Sequence, residues 1–306
     1  WDAYVARATA GARIQRGCEP TRFSPPAGVA TRGAVVLFHG YSACPQQYFE
    51  LSQSLTAAGF EVLLPLTPGH GREPLRRADG TITDDVSDLP NGYTKGRYAD
   101  FAREMNGVLA EVPGVRVVGG LSLGGAIATQ AMLDAPSLYT RGLLLSPFYT
   151  IPGVQGWLAK AANVVVPARE AGWGPNCVAE REQPNPRAGI CEFQVQHVRG
   201  AAEFGEQVAA QAKRLTLPVQ IAGVDQDGAA DNGLTMKVAR AAKDASLCFY
   251  PQGVNHSLLS RFDSPFEDKY WVPSALEQVS AFITTGRRFV TEGTSREDGF
   301  PLCAVR

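Results

Sequence analysis

The sequence predicts an α/β fold: a doubly wound, mostly parallel sheet with a cap insertion. Three observations predict it. Continuous apolar runs such as "GAVVLFHG" (33–40) and "PVQIAGV" (218–224) have the look of strands covered on both faces. Segments with helical spacing alternate with these runs, as βαβ units require. One run, starting at Val115, passes straight into a helix-like segment through "GGLSLGG", a serine held among glycines.

Taken in order, residues 1–32 are polar, with proline and glycine, and are expected to hold one or two edge strands. "GAVVLFHG" is the first buried strand, residues 46–58 a helix and "FEVLLPL" a second buried strand. Residues 71–97, carrying Gly, Pro, Asp and Arg, form a long surface excursion. A helix over 98–111 precedes the strand at 115–118, and the helix after the serine covers 126–133, with Ile127 and Ala131, then Ala128 and Met132, four apart. "GLLLSP" is the next strand. The alternation stops over 150–200, rich in Gly, Pro, Ala and Trp and without a clear strand. It resumes with a helix near 201–214, strand "PVQIAGV", a helix over 232–243, strand "SLCFYP" and a helix over 273–284. Residues 1–149 and 201–306 therefore form the core, and 150–200 a cap over one end of the sheet.

The chain of 306 residues is long enough for a large core. With 29 basic and 30 acidic residues it offers no nucleic-acid surface and no polybasic membrane patch. The longest uncharged run, 142–159, is broken by Pro147 and Pro152 and is a poor membrane span. Six cysteines include no C-x-x-C pair, which argues against zinc or thioredoxin chemistry, and no cofactor is expected. Cys177 and Cys191 bracket an irregular stretch that a disulfide would fix. Cys18 with Cys44 and Cys248 with Cys303 are the pairings suggested by chain layout. Oxidised pairs point to a secreted or periplasmic protein, with a cytoplasmic one as the alternative.

Gly120-Leu121-Ser122-Leu123-Gly124 has the G-x-S-x-G pattern of a nucleophile elbow; the competing reading is a turn whose serine only caps the helix. A serine nucleophile needs a base and an orienting acid. His256, in "QGVNHSLLS" past the last core strand, is the base expected by chain order. The acid lies in "DQDGAAD": Asp227 is favoured over Asp225, and Asp231 suits a helix N-cap. Two amides should receive the oxyanion, that of Leu123 and that of Tyr41 in "HGYSAC". His39 braces that loop, His70 stabilises its own, and His197 is expected to be exposed.

With "VVLFHGYS", "PLTPGHG", "GGLSLGG", the Asp227 loop and "NHS" in this order, the chain resembles the α/β-hydrolase superfamily, and within it the monoacylglycerol lipase and serine aminopeptidase-like group. The resemblance covers about 33–149 and 215–285 and implies hydrolysis of an ester, thioester or amide beneath a mobile cap. No known cap matches 150–200. Tyr41, Phe148, Tyr149 and Trp157 are candidates to line an apolar acyl pocket. The leading expectation is a Ser-Asp-His serine esterase for small-molecule or lipid-like esters. The alternatives are a peptidase or amidase on the same triad, ranked lower for want of an acidic cluster to hold a substrate amine, and a non-catalytic ligand-binding relative.

Overall fold

The computed structural model describes residues 1–153, 170–172, 188–259 and 269–305. In chain order the helices are α1 (Asp2–Ala8), α2 (Phe49–Ala57), α3 (Gly96–Ala110), α4 (Leu123–Asp134), α5 (Val195–Ala209), α6 (Asn232–Ala241) and α7 (Val272–Thr285). The strands are β1 (Thr21–Phe23), β2 (Gly33–Phe38), β3 (Phe60–Leu64), β4 (Leu75–Arg76), β5 (Ile82–Thr83), β6 (Val115–Leu121), β7 (Arg141–Leu145), β8 (Glu170–Gly172), β9 (Glu192–Gln194), β10 (Pro218–Val224), β11 (Asp244–Tyr250), β12 (Thr291–Ser295) and β13 (Pro301–Cys303).

Nine strands form one sheet in the order β1-β3-β2-β6-β7-β10-β11-β13-β12. The neighbours from β3 through to β13 are all parallel, and only the edge strands β1 and β12 run antiparallel to their partners. The continuous apolar runs follow from burial on both faces. Ala34, Val36 and Phe38 of β2 point into the layer holding α3, α4 and α5, while Val35 and Leu37 point into the layer holding α2 and α7. Because the strands are parallel and in register (Phe38 opposite Gly120, Leu121 opposite Leu145, Val224 opposite Tyr250), their carboxyl ends share one edge of the sheet. His39, Ser122, Ser146, Asp225 and Pro251 each follow one of these ends.

The structure departs from the sequence expectation where local apolar signal is weak. The first 32 residues hold helix α1 and a single edge strand, β1. The excursion at 71–97 contains the small hairpin β4–β5. Within 150–200, β8 and β9 pair antiparallel, Ala171 opposite Phe193. Helix α5 begins at Val195, earlier than expected, because Gln194 and His197 form a reciprocal capping box at its first turn. His197 is thus buried rather than exposed, at 4%. After α7 the chain adds the β12–β13 hairpin to the sheet, which the polar sequence "TEGTS" did not announce. Buried Gln278 and Gln220 hold it there: Gln278 Nε2 donates to the Ala304 carbonyl, and the amides of Val290 and Phe289 donate to Gln278 Oε1 and Gln220 Oε1.

Cys18–Cys44 and Cys248–Cys303 are disulfides, the two pairings expected from chain layout. Cys191 is also disulfide-bonded, and its expected partner Cys177 lies outside the described residues. Cys248–Cys303 ties β11 to β13, which share only the Phe249–Leu302 pair in the sheet. Its loop of 55 residues contributes about 4 kcal/mol in the chain-entropy account. Replacing Cys248 and Cys303 together by Ala is therefore expected to lower the unfolding free energy from urea titration by up to that amount, and an unchanged free energy would show that the tail is held without the bond.

Candidate active site

The turn between β6 and α4 is built by close approach. Ser122 itself takes the left-handed backbone, φ 56° and ψ −121°. The glycines around it supply space instead. A Cβ added at Gly124 would lie 1.9 Å from the Phe38 carbonyl oxygen, and one at Gly120 would lie 2.1 Å from the Gly124 carbonyl oxygen. The strained residue is held by main-chain bonds on both sides: its amide donates to Leu145 O at 2.9 Å, and its carbonyl accepts from the amides of Gly125 and Phe148, each at 2.9 Å. The Ser122 side chain makes no capping bond to α4, so the capping alternative does not describe it.

Beyond β10, three aspartates take three different roles. Asp227 Oδ1 accepts from the amides of Ala229 (2.8 Å) and Ala230 (3.2 Å), while Oδ2 pairs with His256 Nδ1 at 2.7 Å. Burial alone would raise the pKa of this carboxylate. The charge and hydrogen bond of His256, with the two amides, outweigh that and hold it below the usual range. With Nδ1 engaged, His256 Nε2 is buried and has no hydrogen-bond partner among the described residues. Asp225 turns the other way. It pairs with Arg296 at 2.5 Å, whose guanidinium also holds Asp298 and lies 4.0 Å from the Phe249 ring centroid. Asp231 caps α6, accepting from the Leu234 amide at 2.7 Å.

The loop after β2 crosses directly over the elbow. A Cβ at Gly40 would lie 3.5 Å from Ser122 Cβ. Gln47 Oε1 accepts the Gly40 amide at 3.0 Å. The Tyr41 amide next to it donates to none of the described groups, and Leu123, as the first residue of α4, has no intrahelical acceptor for its N–H. Two buried imidazoles set the peptide planes around Tyr41. His39 Nε2 accepts from the Thr67 amide at 3.0 Å, which leaves Nδ1–H to donate to Gly40 O at 2.8 Å. His70 Nε2 lies 2.7 Å from Tyr41 O. Burial pushes His39 down to about 3 and His70 down to about 4, so both are neutral at pH 7.

Of the pocket candidates, Phe148 and Tyr149 follow β7 on the Ser122 side, and Tyr149 is fully buried with its hydroxyl 2.9 Å from Thr129 Oγ1. Trp157 lies outside the described residues. Sequence reasoning missed Gln47, which orients the loop, and Arg296, which engages the rival aspartate from 71 residues away. It also missed a pattern in the backbone. The described non-glycine residues with positive φ are Ser122, Ser146, Gln226 and Leu258, each at or beside the carboxyl edge that carries Ser122, Asp227 and His256.

Because His39 and His70 titrate far below the unfolded value of about 6.5, the unfolded chain binds more protons than the folded one at intermediate acid pH. Their stabilising effect is complete above about pH 6.5 and is lost as pH falls toward 4 and 3. Melting temperature should drop between pH 7 and pH 5, with a shallower slope in His70→Gln; an equal slope would show that His70 does not contribute.

A family model described as serine aminopeptidase, S33 matches residues 29–261. No curated protein matches the chain in sequence. Among solved structures, the monoacylglycerol lipase of Paleococcus ferrophilus is similar at 19% identity and TM-score 0.64, covering 88% of this chain and 98% of that one. A monoglyceride lipase from Saccharomyces cerevisiae is similar at 14% identity and TM-score 0.59, covering 86% and 90%. Est1E of Butyrivibrio proteoclasticus, solved with ferulic acid, is similar at 15% identity and TM-score 0.51, covering 87% and 92%. With the family model spanning most of its length and this fold beneath it, the chain belongs to the serine aminopeptidase S33 family of α/β-hydrolases.

Proposed function

We propose that the protein is a carboxylic ester hydrolase that works through Ser122, His256 and Asp227. The observation that carries this reading is the state of His256. Its Nδ1 is fixed by a buried carboxylate at 2.7 Å, and its Nε2 is buried and unpartnered among the described residues. An imidazole oriented this way presents Nε2 as a base for the serine proton. Ser122 Oγ attacks the ester carbonyl as Nε2 takes its proton, and Asp227 stabilises the imidazolium that forms. The oxyanion is received by the amides of Leu123 and Tyr41. Collapse expels the alcohol, protonated by His256, and leaves an acyl-enzyme at Ser122. Water, deprotonated by the same imidazole, then releases the acid.

An amidase or peptidase on the same triad is the second reading, favoured by the name of the family. A peptidase acting at a free amino terminus needs an uncommitted acid near the serine. Three described acids on the α5 side are committed: Glu203 pairs with Lys95 and Arg199, Glu206 accepts from Thr150, and Asp84 accepts the amides of Cys191 and Glu192. Ester hydrolysis therefore ranks first. The expected cap over 150–200 lies for the most part outside the described residues, and its selection of the acyl group is part of this proposal. Among the described residues no helix is long and apolar enough to cross a membrane. The disulfides favour an oxidising compartment, secreted or periplasmic, over the cytoplasm.

A panel of p-nitrophenyl esters beside aminoacyl anilides tests this. The wild type should hydrolyse the esters, and Ser122→Ala should lower kcat by on the order of 10⁴ or more with an unchanged melting profile. Anilide turnover without ester turnover would favour the second reading. Near-normal ester turnover in Ser122→Ala would end the first.

A further inference from the structure

An amide stabilises an oxyanion well only if its peptide is held at the right tilt before the substrate arrives. In the loop after β2, the backbone around the Tyr41 N–H is held from three parts of the chain. Gly40 O accepts from His39 Nδ1–H at 2.8 Å, and Tyr41 O faces His70 Nε2 at 2.7 Å. Ser42 O accepts the amide of Ile190 at 3.1 Å, a donor that comes from the far end of the 150–200 segment.

Ile190 lies in a stretch, 188–191, with no regular structure of its own. Its backbone is nevertheless bonded to the core residue by residue, and five consecutive amides are donated outward. Ala188 donates to Gln46 Oε1 at 3.0 Å, Gly189 to Gln15 Oε1 at 3.2 Å and Ile190 to Ser42 O. Cys191 and Glu192 both donate to Asp84 Oδ2, at 2.7 and 2.9 Å. Phe193 then sets its ring edge-on to the Tyr41 ring, with centroids 5.4 Å apart. The fit against the loop is close. Gly189 has φ 138°, and a Cβ there would lie 2.0 Å from Ser42 O. A backbone anchored at every residue cannot shift at one point without moving its neighbours.

One side chain fastens two of the five amides. Asp84, just past β5, is 8% exposed, and its carboxylate oxygen takes both the Cys191 and the Glu192 N–H. The acceptors at Ala188 and Gly189 are neutral side-chain amides, and hydrogen bonds to a carboxylate are the stronger kind.

We propose, building on the ester-hydrolase reading above, that residues 188–193 are a strap that holds the Tyr41 amide in place for the oxyanion, and that Asp84 is the positioning residue that fastens it. The effect falls on the transition state. Acylation and deacylation both develop an oxyanion, so a Tyr41 amide at the wrong tilt slows both steps alike. Substrate binding in the ground state does not use that amide, so kcat falls while KM holds.

Three variants test this. Asp84→Ala removes both bonds, Asp84→Asn keeps an oxygen that can accept, and Gly189→Ala drives a Cβ toward Ser42 O with Asp84 intact. On p-nitrophenyl butyrate, Asp84→Ala and Gly189→Ala should each lower kcat by about tenfold or more with KM within about threefold of wild type, and Asp84→Asn should recover most of the loss. Hydrogen exchange over residues 40–47, read by mass spectrometry on the free protein, should quicken in Asp84→Ala and Gly189→Ala. A kcat within about threefold of wild type in both, or a loss carried by KM alone, would overturn the strap's role and leave the ester-hydrolase reading standing. If the wild type hydrolyses no ester, that reading fails by itself. Faster exchange over 40–47 in both variants then keeps the strap, and unchanged exchange removes it as well.

Discussion

A strand that must become a helix within one residue, while another strand's backbone passes beside the turn, leaves little choice of sequence. The chain resolves this by placing Ser122 in a left-handed conformation between β6 and α4 and by removing side chains at Gly120 and Gly124, where carbonyl oxygens approach within about a bond's reach of a would-be Cβ. Strain at such a residue is of order 1–3 kcal/mol and persists only where the surroundings over-determine it. Here the Leu145 carbonyl and the amides of Gly125 and Phe148 do so. The same geometry sets Ser122 at the carboxyl edge of the sheet, beneath the Gly40–Tyr41 turn, with the amino end of α4 behind it. The arrangement of the other groups follows from parallel strands in register, which bring the loops after β2, β10 and β11 to that edge.

The choice between neighbouring aspartates shows how distant chain enters the site. Asp225 and Asp227 are two residues apart, and each follows β10 closely enough to serve. The C-terminal hairpin separates them. Arg296, stacked over Phe249 and paired with Asp298, engages Asp225, and the disulfide from Cys303 to Cys248 ties β13 to the same strand as Phe249. Asp227 is left to face His256, with the Ala229 and Ala230 amides fixing its other oxygen. The short run Gly-Ala-Ala after it serves this purpose, since small residues let the loop turn its amides back onto the carboxylate.

Much of this was legible in the sequence. Strands β2, β3, β6, β7, β10 and β11 are buried on both faces and announce themselves as apolar runs. Ser122 was legible because its elbow demands glycines at fixed spacing, and two of the disulfides because chain layout suggested them. What was hidden depends on partners remote in sequence. Strand β12 is exposed and polar, and its hairpin is anchored by Gln220, Gln278 and a disulfide rather than by an apolar face. His197 gave no sign of burial, because its capping role depends on where α5 starts, and that start lies beyond an irregular stretch with no periodic pattern. Arg296 and Gln47 act on partners that leave no local trace in the sequence around them.

If Asp227, behind His256, activates Ser122, covalent labelling reads that activation at the nucleophile itself. Diethyl p-nitrophenyl phosphate reacts with an activated serine and releases one p-nitrophenol per site, so rate and stoichiometry are read together, and peptide mass mapping locates the adduct. One adduct is expected, on the peptide containing Ser122, at a rate that falls by about 10³-fold or more in Asp227→Asn and stays within about threefold of wild type in Asp225→Asn. An adduct elsewhere, or Asp225→Asn slow and Asp227→Asn normal, would contradict this assignment.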